Sequence, residues 1–482
     1  MAKTIENFRI PYPTEGVIRS AQLNDTVCPE DSVQLAVNMN FDKIGSMTTR
    51  QGAETYATTL PASVTSFGSL NIQGGIKRLF AQHGTTITAW DGSAWTTKRT
   101  TTVSTKARYS QWLNKLYMVN GTDALQCSDG GNFAATAGFV PSTAMPIGDY
   151  IQAGFDGRIW IASKPNDALY YSDIVQFTPP STYTVSYTAT NYIQSLSPQD
   201  GESITGLFRV PKALLVFKQN HIYRVYSADN VDPYPAYNVG TYSQESIIQG
   251  KDGLYFHHSS GFYKFNYDGQ PTEISRRVID FVKAIPRASY ENIVGVYDGY
   301  DAVKWSVGSV TVDGVTYANC QMRYTISTQI WTIYDYAATG ITALIRYDNG
   351  TTIEQIAGTS TGLVGKLDSG TTDFGASIYY EMIDRKRSFT ELLSRVKNIT
   401  GISVLGEKAS GTLIQYQVDK ERPNVWHDIG KLSDEYVTLF PNAGTIDFNI
   451  VTLRARGNSI GETLSIDGFE LLTVQDKGFD KN

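Results

Sequence analysis

The sequence predicts an all-β chain: a β-propeller of six to eight blades, seven favoured, with an extended N-terminal arm and a C-terminal β-sandwich. Three observations lead there. Only 18% of the 482 residues are charged, against about 25% in ordinary globular domains, and the shortfall is filled by 30 Tyr and 42 Gly with Thr, Ser and Asn throughout. Aromatic and β-branched residues suit half-buried pleated surfaces, and Gly and Asn suit tight turns. From about residue 70 to 370 one unit recurs: a short apolar and aromatic strand, a Gly/Asn/Asp turn, and a second strand. Beyond about 372 the pattern gives way to longer alternating strands.

Residues 1–65 carry no repeated strand pattern. Pro11, Pro13, Pro29 and Pro61 punctuate a stretch rich in Thr, Ser and Asn, the composition of an extended arm that clings to something rather than folding alone. Within it Val33–Asn40 roughly alternates, Asp42–Gly45 turns and Met47–Arg50 returns, which predicts a hairpin.

Residues 66–371 hold the repeats. Their first strands open at Ile76, Lys115, Arg158, Ala213, Gly253, Ala302 and Thr352, spaced 39 to 55 residues apart, a range in which each repeat can be one four-stranded blade. Closing the blades into a ring leaves only short, protected edges. One or two β-sandwiches with ordinary hairpins would give similar spacing and are the alternative.

Residues 372–474 read as a separate sandwich. Strands are expected at Ile402–Leu405, Gly411–Val418, Tyr436–Leu439, Thr445–Ala455 and Glu462–Val474, and the alternation of Thr412–Val418 marks a sheet with one wet face. The basic cluster Arg385-Lys386-Arg387 either touches nucleic acid or an acidic neighbouring subunit, or blunts a solvated strand edge. Residues 475–482 are charged and expected to fray.

The chemistry is sparse. With 41 Lys and Arg against 47 Asp and Glu the net charge is −6, which disfavours ordinary duplex binding without excluding a passage through which nucleic acid slides. The N-terminus lacks a signal-peptide core and no run approaches a membrane span, so the chain is expected to be made in the cytosol. Cys28, Cys127 and Cys320 stand far apart and read as buried free thiols rather than a disulfide or zinc framework. Gly358–Gly362 and Gly457–Gly461 match G-x-S-x-G but lack the strand, turn, helix and later His of a nucleophile elbow. Cys127–Phe133 resembles the Asp-box turn of some propeller glycosidases, which is structural. His257 and His258 point to opposite faces of a strand and cannot share an ion. No catalytic residue, cofactor or metal ligand is predicted, although carboxylates from distant segments could still meet about 5–10 Å apart as in glycosidases.

Three stretches together carry a family resemblance. Val37–Gly45 running into Thr48-Thr49-Arg50-Gln51-Gly52 resembles the opening of tail proteins of short-tailed bacteriophages. Tyr117–Asp123 and Ser203–Phe208 with Leu215-Val216-Phe217 and Ile222-Tyr223 are similar to propeller blades of that group, and Phe389–Leu472, with Trp426–Gly430 and Ile466-Asp467-Gly468, to its C-terminal part. Such relatives are tail hub, nozzle or head-stabilisation proteins. The resemblance implies a non-enzymatic virion protein, made in the host cytoplasm and built into the tail. It would form a homo-oligomeric ring, a hexamer, below the portal, touching portal or adaptor proteins and other tail proteins while genomic DNA passes. In that setting the arm would dock on a neighbour through Phe8, Ile10, Tyr12 and Val27. The alternatives are a glycan-binding or glycan-cleaving propeller, which predicts a deep axial pocket with clustered carboxylates, and a propeller interaction scaffold.

Overall fold

The computed structural model describes Thr4–Phe479 except residues 6, 20–28, 44, 135–145, 166, 179–181, 189, 195, 197–199, 233–235, 268, 337–338, 388–394, 408–410, 419–424, 443, 460–464 and 473. Seven antiparallel sheets form the blades of a propeller. Blade 1 is Val64–Asn71, Lys77–His83, Thr86–Trp90 and Trp95–Thr100; blade 2 begins with Arg108–Trp112, Lys115–Val119 and Gln126–Ser128. Blade 3 runs from Tyr150–Phe155 to Tyr192–Gln194, blade 4 from Gly206–Val210 to Asn230–Val231, and blade 5 from Ile248–Gln249 to Thr272–Glu273. Blade 6 comprises Val294–Tyr297, Ala302–Val312, Val315–Thr325 and Ile330–Asp335. Blade 7 takes Ile341–Asp348, Ile353–Thr359 and Val364–Leu367 from one part of the chain and its outer strand, Ala53–Ala57, from another. The first strand of each blade lies innermost, and that of blade 7 packs against that of blade 1, so the ring closes.

The seven hairpins visible in the sequence are the second and third strands of the seven blades. These strands are sandwiched between neighbouring blades, so both faces are buried, as in Ala213–Phe217, where all five residues are inaccessible. Such strands read as continuous apolar runs. Inner strands such as Val64–Asn71 bury alternate residues only and give a weaker signal. Turn chemistry holds where both central residues need positive φ: Asp156-Gly157 (52° and 65°) and Asp313-Gly314 (50° and 78°) close two-residue hairpins. Asp467-Gly468, the same dipeptide, instead lies inside the strand Ser465–Leu472, beside a register shift in its partner strand.

The N-terminal residues do not extend away from the body; they fill its open edges. Phe8–Ile10 pairs with Ser465–Leu472, and Gly16–Val17 runs parallel to Ser32–Val37. Ser32–Val37 lies between Ile330–Asp335 of blade 6 and Ile378–Asp384 of the C-terminal unit, joining them in one ten-stranded sheet. A hairpin forms where one was expected, but its first strand is Met39–Lys43 rather than Val33–Asn40; it pairs with Ser46–Thr49 and adds to the second sheet of the sandwich. The propeller therefore begins at Ala53 rather than at 66. Strands of two to six residues cannot fold alone, but each meets a backbone edge already in place. The same holds at the other terminus, where residues 475–479 of the tail expected to fray belong to the strand Val474–Phe479, which pairs with Arg395–Ile399 and Thr4–Ile5.

The C-terminal unit is a sandwich whose two principal sheets enclose Met382, Ile402, Val404, Ile414, Leu453, Phe469 and Leu471. This core is continuous with that of blades 5 and 6, where Trp305 and Trp331 stack at 6.0 Å and Phe262 lies 4.6 Å from Trp305. Both indoles are anchored, Trp305 Nε1 donating to the Ser246 carbonyl (3.0 Å) and Trp331 Nε1 to that of Ile274 (2.8 Å). Propeller and sandwich thus share a sheet and a core.

Next to this core His257 is 1% exposed, wedged between Phe262 and Tyr290 at 5.0 Å each, with neither ring nitrogen hydrogen-bonded. Burial, and then His258, lower it to about 3. Its folded pKa lies below its unfolded value of about 6.5, so the unfolded chain binds the extra proton and the stability, full above pH 6.5, falls as pH drops toward 3. His257→Phe should flatten urea midpoints between pH 6.5 and 4. Unchanged acid sensitivity would show that other groups set it.

Candidate functional site

The residue set expected to grip a neighbour lies mostly inside the molecule. Phe8 is half-buried against the sandwich core and Ile10 is buried in it. Tyr12 donates its hydroxyl to the carbonyls of Lys43 (3.1 Å) and Ser46 (3.0 Å), and burial, then Asp42, push it up to about 12. Val27 lies outside the described residues. The basic cluster, just past the strand Ile378–Asp384, is split among three environments. Arg387 turns inward onto Asp384 in a bidentate pair (2.5 and 2.8 Å), Arg385 is half-buried, and only Lys386 is fully exposed. Three adjacent cations therefore do not make a basic patch.

Three features of the molecule have the geometry of function. The first is the junction built by Val37–Gly52. Asn38, at φ 55°, donates Nδ2 to the Asp335 carbonyl (3.2 Å) of blade 6 and the Tyr379 carbonyl (2.6 Å) of the sandwich. Its Oδ1 accepts from Arg50 Nε at 2.7 Å. The Arg50 guanidinium is fully buried, makes a bidentate pair with Asp373 (2.8 and 2.5 Å) and lies 4.0 Å over the Tyr336 ring. Gly52 completes it, since a Cβ there would stand 2.0 Å from the Thr372 carbonyl oxygen. One arginine thus ties the N-terminal segment, blade 6, blade 7 and the sandwich together.

The second is the propeller axis. Glu245, just before blade 5, reaches Arg108 of blade 2 at 2.8 Å and Lys106 at 3.7 Å. Blades 2 and 5 stand on opposite sides of a seven-membered ring, so this pair crosses the channel. Arg108 also donates to the Asp149 carbonyl (3.1 Å) and stacks 4.4 Å over Tyr150, and Ser243 Oγ donates to Glu245 (3.1 Å). Burial would raise the Glu245 carboxyl, but Arg108 and then Lys106 outweigh it and hold it down at about 2. A glycosidase acid needs the opposite shift.

The third is a cleft of about 1030 Å³ between the Asp298–Tyr300 turn of blade 6, blade 7 and the Met39–Lys43 strand. Its walls hold the pairs Arg323–Asp42 (2.9 Å) and Lys366–Glu354 (2.9 Å), and behind them the buried Lys304 is paired with Asp368. Burial lowers the Lys304 ammonium despite Asp368. Sequence reasoning missed this cleft, because its residues come from segments scattered between Asn40 and Ser465.

The remaining motifs are turns and packing. Ser128 Oγ donates to the Gly131 carbonyl (2.7 Å) and accepts from the Gly130 amide (3.0 Å), closing the Asp-box-like turn on itself. Ser360 sits in the turn between two strands of blade 7, and Cys127 and Cys320 are buried thiols. Among the described residues no three His, Cys, Asp or Glu side chains converge as metal ligands, and no helix is long and apolar enough to cross a membrane.

No protein-family model matches the chain, and no curated protein matches it. Solved structures resemble it distantly. YCF48 from Cyanidioschyzon merolae is 11% identical, with a TM-score of 0.41 over 65% of this chain and 98% of its own. The computationally designed Ika8 protein is 12% identical at TM-score 0.38, over 66% and 99%. The extracellular domain of the putative one component system BT4673 from B. thetaiotaomicron is 11% identical at TM-score 0.45, and the match spans 92% of this chain but 63% of that one. Likeness at this level carries no function, and the propeller assignment rests on the seven sheets and their closure.

Proposed function

We propose that this chain is a structural subunit of a bacteriophage tail, assembling as a sixfold ring below the portal that seals the genome and conducts it during ejection. The observation that carries this is the junction. The stretch that resembles phage tail proteins, Val37–Gly52, is the one that locks propeller and sandwich into a single body through Asn38, Arg50 and Asp373. A subunit that holds packaged DNA under load needs such rigidity and needs no catalytic group. Because Arg108 and Glu245 bridge the propeller axis, DNA would pass between subunits, not through a propeller.

Light scattering of the purified protein across concentrations, with negative-stain class averages, tests this. Rings near six subunits, or assembly on adding a portal complex, are expected. A monomer at every concentration that also fails to assemble on portal would overturn the proposal.

A further inference from the structure

We infer that a pocket at one end of the propeller axis binds a sugar acid, a polyhydroxylated carboxylate of monosaccharide size. The pocket, about 350 Å³, lies where inner strands begin. Ser63 and Thr65 stand at the start of Val64–Asn71 in blade 1, Lys106 precedes Arg108–Trp112 in blade 2, Asn292 precedes Val294–Tyr297 in blade 6, and Ile341 opens blade 7. That volume is at the lower end of small-molecule sites and suits one sugar unit better than a chain of them. Its charge is one-sided. Among the described residues lining it Lys106 is the only charged one, and none is acidic. Glu245 stands 3.7 Å from Lys106 Nζ, beyond hydrogen-bond distance, and its oxygens face Arg108 (2.8 Å) and Ser243 (3.1 Å). Two further acids at this end are held elsewhere, Glu291 by Lys164 (3.2 Å) and Asp149 by the Lys164 backbone N–H (2.7 Å). Arg108 and Lys106 against Glu245 leave one positive charge, and the Lys106 side chain, 20% exposed, is free to donate it to a ligand.

Accessible hydrogen-bonding groups surround that charge. Ser63 and Ser289 are half-buried and Asn292 is exposed, and none of the three side chains has a hydrogen-bond partner among the described residues. Asn319 supplies an oriented acceptor. Its Nδ2 donates to the Tyr336 carbonyl (2.8 Å), which leaves Oδ1 for the pocket, and Gly340 makes room for it, since a Cβ there would stand 3.0 Å from that oxygen. Gly308, at φ 81° in a β-bulge of the strand Ala302–Val312, has nothing within 4 Å of its Cβ position and opens the blade 6 wall onto the cavity; bulges recur beside active sites. One ammonium matches one carboxylate, whereas a phosphate site gathers arginines or helix amides. Ligand hydroxyls then pair with Ser63, Ser289, Asn292 and Asn319 Oδ1, and a neutral sugar would leave Lys106 without a counter-charge. Such a site is independent of the tail reading, and either can fail alone.

The test is saturation-transfer NMR and calorimetry of the full chain with glucuronate, galacturonate and gluconate, with glucose and inorganic phosphate as comparisons. One saturable site for at least one of the three acids is expected, about tenfold or more tighter than for glucose or phosphate. Lys106→Met should weaken it by a similar factor, and Asn292→Ala, at an exposed position, should weaken it at an unchanged thermal midpoint. Lys212→Met, at an exposed turn of blade 4, should leave it unaffected. Absence of saturable binding by all three acids, glucose or phosphate bound as tightly as the acids, or an equal loss with Lys212→Met would overturn the inference.

Discussion

Deletion of residues 1–57 is expected to abolish the folded ring. The deleted segment includes the outer strand of blade 7, so the strand Val364–Leu367 becomes an open edge, a template for aggregation. It also includes Ser32–Val37, the strand between blade 6 and the sandwich. With it go Val33, Leu35, Val37, Met39, Phe41 and Met47, all buried. At roughly 1.5–3 kcal/mol for each large apolar side chain, the loss is on the order of 10 kcal/mol, as large as the whole net stability of about 5–15 kcal/mol of a typical protein. Deletion of residues 1–30 spares both strands and should leave a folded ring with a lowered denaturation midpoint. Size-exclusion chromatography with far-UV circular dichroism separates the two. A monodisperse 58–482 fragment that unfolds cooperatively would contradict the role given to the N-terminal strands.

The largest single-residue effect is expected at Arg50. Arg50→Met leaves Asp373, with 8% of its side chain exposed, as a buried charge without its partner, and removes one of two donors to Asn38 Oδ1, the Asp335 N–H (2.9 Å) remaining. Breaking a buried pair in this way costs about 3–5 kcal/mol. Arg50→Lys should fail to restore it, because an ammonium cannot make the bidentate contact or lie flat over Tyr336. Arg50→Met with Asp373→Leu should destabilise less than the sum of the single changes, since no unpaired charge remains. Urea unfolding of the four proteins gives the coupling energy, and simple additivity would show that the two side chains do not act as a pair.

Several parts of the architecture were legible because burial on both faces leaves a mark in a single segment. The middle strands of the blades, from Lys77–His83 with Thr86–Trp90 to Ile353–Thr359 with Val364–Leu367, are such segments. Their count gives the seven blades. The inner strands and short outer strands such as Asn230–Val231 and Thr272–Glu273 carry too few apolar residues to be read. Nothing local marks the candidate cleft, whose Lys43, Arg346 and Gln355 come together only when blade 7 closes beside the N-terminal hairpin.

By itself the sequence determined the all-β class, the repeat, its length and the change of pattern near 372, because these depend on local alternation and turn chemistry. The tertiary structure alone decided where the terminal strands go. Phe8–Ile10, Ser32–Val37, Ala53–Ala57 and Val474–Phe479 read as arm or tail because each is too short to signal its partner. Their pairing energy arises from backbone edges hundreds of residues away. The same physics turned Phe8, Ile10 and Arg387 inward: an apolar or charged side chain announces that it needs a partner, and only the fold determines whether that partner lies in the same chain.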